Sequence, residues 1–421
     1  MDLLIKVVTQ FFGNGTIVLG LVALIGSILL KKKGSEILLS TIKCMLGFAI
    51  MDGGSTLLLN AMGPLKECIF QGLNTKGVLQ QMWPAYVACS ENFAGEIAIV
   101  FLLSMLVNGV LVRFTKNKGF ALTVHLQLFV AVMFVAFLHV TTLPTLWIII
   151  ISTIGSGVYN WIAVGVSHYY MKKTDMTDEF GLFVFCNWGM ALSELISKII
   201  GKGKDAEDIN FPESLMWLKD TFTAITITMF INYFIFGLIA GVDFVSKLAG
   251  DQFWWLFLFL QSLSFSAGLA VILYGVKMFI AEIIPAFVGI ADAILPDAVV
   301  GLDYPTAFQF SPTAVMFGFI ANLLGSLCAT VLMVVVGMPV LVVPGIQGQF
   351  FEGAIVGVFG NRIGGLRVAL VASFLYGFIT LFLISFIAPS SGVLLEAGAF
   401  YESAEFAILP LIIQKIVMLF G

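Results

Sequence analysis

The sequence predicts an all-α integral membrane protein with about 11 transmembrane helices and additional re-entrant hairpins. The chain has 421 residues, of which 60% are hydrophobic and only 11% are charged, whereas roughly 25% of the residues in soluble domains are charged. Apolar segments follow one another, most of them near the ~20 residues that a spanning helix needs. Prolines and carboxylates interrupt them in two places, and such groups persist at membrane depth only where they are buried in protein or line a wet cavity.

The apolar runs place the helices along the chain. We expect spanning helices at 11–30, 37–60, 95–112, 120–138, 146–166, 222–240, 254–274, two within 313–343, then 368–387 and 405–420. The stretches 180–200 and 344–365 are expected to form half-helices or connectors, and residues 1–10 a short amphipathic helix on the membrane surface.

Basic residues orient the chain. Three lysines at 31–33 follow the first helix, and Arg113 and Lys116 follow the third. Because lysine and arginine are enriched in cytoplasmic loops, we expect both of these ends in the cytoplasm, the N-terminus outside and the C-terminus in the cytoplasm. The net charge of −4 gives no indication of a nucleic-acid partner.

The stretch 281–312 is the strongest candidate for a functional element. It carries four acids and four prolines between two apolar runs, namely Glu282, Asp292, Asp297, Asp303, Pro285, Pro296, Pro305 and Pro312. We interpret it as a re-entrant, broken-helix element that forms half of a polar solute site. The stretch 52–86 is expected to supply the other half.

An internal repeat supports that pairing. Residues 38–65 align with 271–298, and Pro64 then falls close to Pro296. Five predicted spans separate the copies, which gives an inverted 5+5 repeat, the architecture of carriers that bind solute at the repeat interface. The predicted division is scaffold helices 1 and 2 (1–64), a first core half (65–219), scaffold helices 6 and 7 (220–280), a second core half (281–388) and a C-terminal helix 11 (389–421).

Asp303 and Asp52 are the leading solute-binding candidates. Asp303 stands before a Tyr-Pro pair, where its carboxylate can accept hydrogen bonds from two hydroxyls of a polyol or sugar acid, although aspartate also caps helices well. Asp52 is followed by Gly53 and Gly54. These glycines let a solute approach the backbone closely, or let two helices pack closely.

Other side chains complete the candidate site. His125 is polar within an apolar helix and is either a solute donor or bonded to a backbone carbonyl. Trp83 and Tyr86 stand in the segment WPAYV, which resembles the segment YPTAF that begins with Tyr304. Glu282 has a direct solute role, or pairs with a lysine or caps the broken helix.

Several kinds of chemistry have no counterpart in the sequence. No metal-ligand spacing, nucleophile triad or phosphate-binding loop is evident, and the five cysteines form no C-x-x-C pair. We therefore expect no metal and no cofactor. Phosphoryl chemistry, if it occurs, requires another protein.

Five blocks of sequence resemble a known family, the enzyme IIC membrane subunit of the ascorbate-type branch of the bacterial phosphoenolpyruvate-dependent phosphotransferase system, related to the galactitol-type subunits. The blocks are TIKCMLGFAIMDGGS, NGVLVRFTKNKGFALTVH, GVKMFIAEIIPAFVGIADAILPDAVVGLD, SPTAVMFGFIANLLG and VPGIQGQFFEGAIVGVFGNRIGGLRVAL. The resemblance implies a multi-pass homodimer in the bacterial cytoplasmic (inner) membrane, an elevator-type carrier in which a fixed scaffold holds a moving core.

The resemblance also implies partners and site residues. A cytoplasmic IIB subunit, supplied by IIA upstream, would phosphorylate ascorbate or another sugar acid or polyol from a phosphocysteine. Ser55, His125 and Asp303 match positions that contact ascorbate. Other contact positions depart from the family: Asp52 and Phe129 each replace a Gln, Val184 and Phe185 replace a His-Gln pair, and Trp83 falls near a Tyr. Because polar solutes are selected by paired polar groups, the identity of the solute stays open.

Two other functions remain open at this stage. One is an ion- or proton-coupled secondary carrier for a small polar solute without phosphorylation, which would use Asp52, Asp303 and Glu282 for coupling. The other is a regulatory binding protein that keeps the fold and has lost the site, as Val184 and Phe185 suggest. A separate IIB protein with a reactive cysteine would favour the hypothesis of a phosphotransferase-system permease.

Overall fold

Helices make up most of the chain. The computed structural model describes residues 15–73, 78–80, 82–208, 221–293, 295–338 and 340–420, so the surface helix predicted at 1–10 lies outside it. The helices are α1 (Gly15–Leu29), α2 (Gly34–Leu73), α3 (Met82–Phe114), α4 (Val124–Leu138), α5 (Thr145–Lys173), α6 (Asn187–Ile200), α7 (Thr221–Ala240), α8 (Val242–Ala249), α9 (Trp254–Ala293), α10 (Pro312–Val336), α11 (Ile346–Gly364), α12 (Leu366–Ile387), α13 (Val393–Glu396) and α14 (Glu405–Phe420).

Short 3₁₀ helices and strands lie between these helices. The 3₁₀ helices are Tyr304–Phe310 and Ala388–Ser390, and the strands are β1 (Val78–Gln80), β2 (Gly119–Ala121), β3 (Phe180–Leu182), β4 (Val299–Leu302), β5 (Val342–Val343) and β6 (Ala399–Phe400).

The lengths and composition of the helices fit a multi-pass membrane protein. Within the described residues, six helices are long and apolar enough to cross a membrane, and α7 with α8, which meet at 117°, form a seventh span if they are counted as one. The helices α1 and α4 are apolar but shorter. The prediction of a mainly helical membrane protein is therefore confirmed.

The two longest helices correct the sequence analysis. Both α2 and α9 contain 40 residues, which at 1.5 Å per residue is about 60 Å, about twice the thickness of the hydrocarbon core. Pro64 and Pro285 lie inside them. The predicted helix ends at Asn60 and Tyr274 were wrong, because packed neighbouring helices allow a proline to stay within a membrane helix. The helix α9 continues to Ala293.

Glycines bring α2 and α9 into backbone contact. A Cβ atom at Gly54 would lie 2.7 Å from the backbone nitrogen of Ile272, and one at Gly275 would lie 2.5 Å from that of Met51. Two antiparallel helices approach this closely only where small residues face each other. Of the two roles set out for the glycines after Asp52, close packing therefore applies to Gly54.

Two three-stranded parallel sheets join distant parts of the chain. In one, β1 lies between β5 and β6, and in the other β4 lies between β2 and β3. Each central strand follows one of the long helices, and its neighbours come from the other half of the chain. The sheets pair backbone groups that the interrupted helices leave free, which is necessary inside a membrane.

Asparagine side chains extend this pairing. The Asn108 side-chain oxygen accepts the Ala121 N–H at 2.9 Å, and its amide nitrogen donates to the Gly119 carbonyl at 3.1 Å. The Asn108 side chain in α3 thus pairs with backbone groups of β2, as the backbone of a neighbouring strand would. In the second half, the Asn322 amide donates to the Gln349 side-chain oxygen at 2.8 Å.

Three further expectations meet the structure as follows. The run 313–343 contains one helix rather than two, because α10 ends at Gly337 with φ +68° and the chain continues into β5. The half-helix expected at 344–365 is α11, and the one at 180–200 is β3 with α6. Trp83 and Pro84 lie in the first turn of α3, where proline is tolerated, and this helix is kinked at Phe93 (φ −131°).

We predict that Gly54→Ala and Gly275→Ala each lower the midpoint of thermal unfolding of the purified protein in detergent. Each new Cβ would press on the backbone of the facing helix, a kind of overpacking that costs about 1–3 kcal/mol. The control is Gly63→Ala on α2, because a Cβ there meets nothing within 4 Å. Equal midpoints for Gly54→Ala and Gly63→Ala would contradict the backbone contact.

Candidate functional site

The sheet around β4 positions the predicted site. Ala121 of β2 pairs with Gly301 of β4 in a parallel register, so the chain leaves both strands at the same edge. The residues that follow carry His125, the second residue of α4, and Asp303, the first residue after β4. Side chains more than 170 residues apart in sequence are brought together by this short sheet.

His125 and Asp303 form the centre of the site. The Nε2 atom of His125 lies 3.6 Å from Oδ2 of Asp303. The other oxygen, Oδ1, accepts the N–H of Tyr304 at 2.7 Å and so caps the 3₁₀ helix. The helix cap that we weighed against solute binding is therefore present, but it occupies only one carboxylate oxygen. Oδ2 and the imidazole, which is 40% exposed, face the cleft.

The cleft lies between the long helices and the start of α4. It encloses about 20 Å³, room for roughly one water molecule. Its wall combines a charged end and an apolar end, made by Leu19, Phe48, Leu122, Thr123, Val124, His125, Phe279, Leu302 and Asp303. In this conformation it is too small for a sugar, so solute entry requires the helices to separate here.

Asp52 belongs to the same region. It is exposed on α2, one helical turn after Phe48, which lines the cleft. Gly53 beside it is exposed, and a Cβ there would meet nothing within 4 Å, so backbone access remains open at that residue. The side chains of Ser55 and Trp83 lie outside what the structure describes. Of the predicted groups, His125 and Asp303 are thus in contact, and Asp52 lies one turn along α2 from the cleft.

Aromatic rings adjoin the histidine. Phe129, one turn after His125 on α4, has its ring centroid 6.2 Å from that of His125 and 6.2 Å from that of Tyr86. The Tyr401 ring lies 5.7 Å from Phe129 on another side. Tyr86, one of the predicted site residues, is half-buried. It contacts Phe129, which in turn contacts His125.

Tyr304 has a different local environment from the other candidates. It is 4% exposed, and its hydroxyl accepts the N–H of Phe185 at 2.8 Å. Phe185 and Val184 are fully buried. Because β3 and β4 are also parallel, the chain after β3 leaves at the same edge as Asp303, and Tyr304 fixes its path.

Sequence reasoning missed three acids beyond this edge, of which Glu352 and Glu402 are buried and Glu405 is half-buried. Glu405, the first residue of α14, accepts hydrogen bonds from the Tyr159 hydroxyl at 3.0 Å, the Asn187 amide at 2.8 Å and the Trp188 N–H at 3.0 Å. Asn187 and Trp188 begin α6, so the carboxylate sits at the positive end of that helix. The segments that follow β3 and β6 are joined at this point.

Glu352 and Glu402 are the other two acids. Glu352 accepts the Tyr376 hydroxyl at 2.9 Å, and both carboxyl groups are 2% exposed. In each, one oxygen has no hydrogen-bond partner among the described residues. Glu352 stands within the apolar run 350–359. A carboxylate in an apolar run is also the pattern that identified 281–312 as a candidate, so the sequence could have indicated Glu352.

The described residues contain no group of three or more His, Cys, Asp or Glu side chains that is arranged to hold a metal ion. Four of the cysteines are buried, and Cys328 is exposed. The arrangement around His125 and Asp303 instead offers a donor, an acceptor and aromatic faces, the groups that bind a hydroxylated small molecule.

Comparisons with known proteins give a consistent result. The sequence model of one family, described as the PTS system sugar-specific permease component (EIIC-GAT), matches residues 10–405. A similar protein is the ascorbate-specific PTS system EIIC component of Mycoplasma pneumoniae (strain ATCC 29342 / M129 / Subtype 1). It is 25% identical over 452 aligned positions, which cover 94% of this chain and 68% of the relative.

We predict that Glu405→Gln lowers the thermal stability of the purified protein substantially. Three donors point at the carboxylate, and an amide nitrogen in its place would face at least one of them. Hydrogen bonds to charged groups are worth about 1.5–3 kcal/mol each. Glu396→Gln, at an exposed acid a few residues earlier, is the control. If the two variants have the same midpoint of thermal unfolding, the hydrogen bonds of Glu405 do not stabilise the contact between α6 and α14.

Proposed function

The chain belongs to the family of PTS system sugar-specific permease components, EIIC-GAT, and we propose that it binds and translocates ascorbate or a related sugar acid or polyol. The ascorbate-specific EIIC component of Mycoplasma pneumoniae aligns with 94% of this chain, which supports that solute class. The observation that carries the proposal is the His125–Asp303 contact in the cleft beside α2 and α9.

The chemistry of the cleft suits such a solute. Asp303 Oδ2 can accept a hydrogen bond from a solute hydroxyl, and the His125 imidazole can donate one. The N-terminus of α4, whose second residue is His125, favours negative charge, as carried by a sugar acid. The aromatic rings of Tyr86 and Phe129 adjoin these polar groups and offer apolar contact to the carbon face of a sugar.

Phosphorylation is assigned to a partner. We propose that a cytoplasmic IIB subunit, itself phosphorylated by IIA, transfers a phosphoryl group from its phosphocysteine to the arriving solute. The present chain then supplies binding and passage, and its own residues take no covalent part in the reaction.

We propose that the two halves form an inverted repeat. The helices α2 and α9 have equal length, and Pro64 and Pro285 lie at nearly the same place within them. Each is followed by the central strand of a three-stranded sheet. These features favour a register in which Pro64 corresponds to Pro285, rather than the sequence alignment that placed it near Pro296. The proposed total of about 11 transmembrane helices plus re-entrant hairpins exceeds the six or seven spans that length and composition identify among the described residues.

The position of the cleft supports an elevator-type mechanism. Phe48 of α2 and Phe279 of α9 line one side of it, and His125 and Asp303 the other. We propose that α1, α2 and α7–α9 form the scaffold and that the remaining segments move as the core. This keeps the division 1–64, 65–219, 220–280, 281–388 and 389–421, except that α2 and α9 belong whole to the scaffold. The scaffold would pair in a homodimer, with the N-terminus outside and the C-terminus in the cytoplasm.

One observation favours a second candidate function, an ion- or proton-coupled carrier. Glu352 and Glu402 each have a buried carboxyl oxygen without a partner in the described part of the chain, as a proton-binding site does. Of the acids first considered for coupling, Glu282 accepts the Ser40 hydroxyl at 2.6 Å, so that carboxylate already has a structural partner.

We predict that uptake of radiolabelled ascorbate, or of one solute from a panel of hexitols, pentitols and sugar acids, requires both the phosphotransferase relay and Asp303. Asp303→Asn and His125→Gln should each reduce uptake by about 10- to 100-fold, because a hydrogen bond to a charged group contributes about 1.5–3 kcal/mol. Uptake is measured in cells with and without the relay, at matched levels of the protein in the membrane.

Asp297→Asn is the matched control, since Asp297 is exposed in the same segment and has φ +63°, a conformation that asparagine adopts readily. It should transport like the original protein. Uptake that survives loss of the relay and collapses with an ionophore would exclude the phosphotransferase-system mechanism in favour of the coupled carrier.

A further inference from the structure

A basic cavity lies far along the chain from the solute site. Lys202, Gly203, Lys204, Leu366 and Arg367 line it, and its volume is about 390 Å³. It is formed where the segment after α6 meets the junction of α11 and α12. We call these five residues the basic pocket. All three of its cations are exposed.

The backbone holds the pocket in shape. The Gly203 N–H donates to the Gly364 carbonyl at 2.7 Å, and the Leu366 N–H donates to the Lys204 carbonyl at 2.8 Å. Gly365 has φ +80°, and a Cβ there would lie 2.5 Å from the Lys204 carbonyl oxygen. The loop is therefore clamped onto the start of α12, which keeps both lysines beside Arg367.

Three acids follow the pocket lysines: Asp208 is exposed, whereas Asp205 and Glu207 accept hydrogen bonds from other side chains. Asp205 accepts the Asn361 amide at 2.7 Å, and Glu207 accepts the Thr313 hydroxyl at 2.7 Å and the Ser311 hydroxyl at 3.1 Å. Among the described residues, the ion pairs of α6 are those of Glu194 with Lys173 and Lys198, and no ion pair involves a cation of the basic pocket. The three exposed cations can therefore reach an external anion.

Apolar side chains continue from the pocket along the helices. Leu195 and Ile199 of α6 are 54% and 68% exposed, and Ile200 is 42% exposed. On α12, Val371, one turn after Arg367, is 38% exposed. In a membrane protein such surfaces face acyl chains. The pocket thus stands at the end of a lipid-facing surface, where a headgroup would lie.

We propose that the basic pocket binds the phosphate of an anionic phospholipid, whose acyl chains lie on the exposed apolar surface of α6 and α12. Basic pockets between membrane helices on the cytoplasmic side bind such headgroups. Because lysine and arginine are enriched in cytoplasmic loops, the loop that carries Lys202 and Lys204 is expected on that side. The apolar surface beside the cations favours a lipid over a soluble acidic protein. The proposal does not depend on which solute the carrier takes.

The test compares lipid binding by the full-length purified protein and two triple variants. Native mass spectrometry from detergent gives the Kd for dioleoyl phosphatidylglycerol, and dioleoyl phosphatidylcholine controls for the acyl chains. One variant combines Lys202→Gln, Lys204→Gln and Arg367→Gln. The charge-matched control combines Lys33→Gln, Lys172→Gln and Lys247→Gln, which are exposed lysines elsewhere. Thermal unfolding without added lipid confirms that both variants fold.

We expect phosphatidylglycerol binding to weaken at least about tenfold in the pocket variant, since each cation near an anionic headgroup contributes about 1 kcal/mol. The control variant should match the original protein, and phosphatidylcholine should bind weakly to all three. Unchanged phosphatidylglycerol binding by the pocket variant would overturn the proposal. Displacement of the lipid by an equal concentration of inorganic phosphate would also overturn it. A pocket variant that still binds the lipid but no longer binds a cytoplasmic protein partner would overturn it as well.

Discussion

Backbone amides and carbonyls that leave a helix inside a membrane need partners, and this requirement governs how the chain is built. Each of the two long helices, α2 and α9, runs without interruption past its proline and ends where a three-stranded sheet takes over. Because lipid offers no hydrogen bonds, the backbone groups that become free beyond these two helices are paired within the sheets. The side chains that follow the parallel strands are gathered at one edge, and His125 and Asp303 are among them.

The contact between α2 and α9 complements this arrangement. With Gly54 and Gly275 at the interface, the backbones touch, and the rings of Phe48 and Phe279 meet at 5.8 Å beside the cleft. One wall of the cleft is therefore made by a rigid helix pair, whereas the other is made by residues that emerge from a sheet.

Much of this could be predicted from sequence, and the exceptions have physical reasons. Hydropathy located the helices, and charge at a helix break selected Asp303. Strands of two to four residues carry no periodicity of their own, because non-local pairing alone creates them. The lengths of α2 and α9 were missed because proline breaks an isolated helix but not one packed among others. Glu405 was missed because its three donors come from sequence-distant segments.

The departures from the family pattern have a structural consequence at the site. Phe129 places a ring between His125, Tyr86 and Tyr401. Val184 and Phe185 are buried, and their backbone groups bond to the side chains of Asn187, Tyr304 and Ser403. Asp303 and His125 are thus the titratable, hydrogen-bonding side chains that remain among mainly apolar lining residues. A solute bound there would be held by charge and hydroxyl contacts along one edge and by ring contact on its face. Selectivity would then depend on the few polar groups that remain, because an apolar wall discriminates weakly between hydroxylated solutes of similar shape.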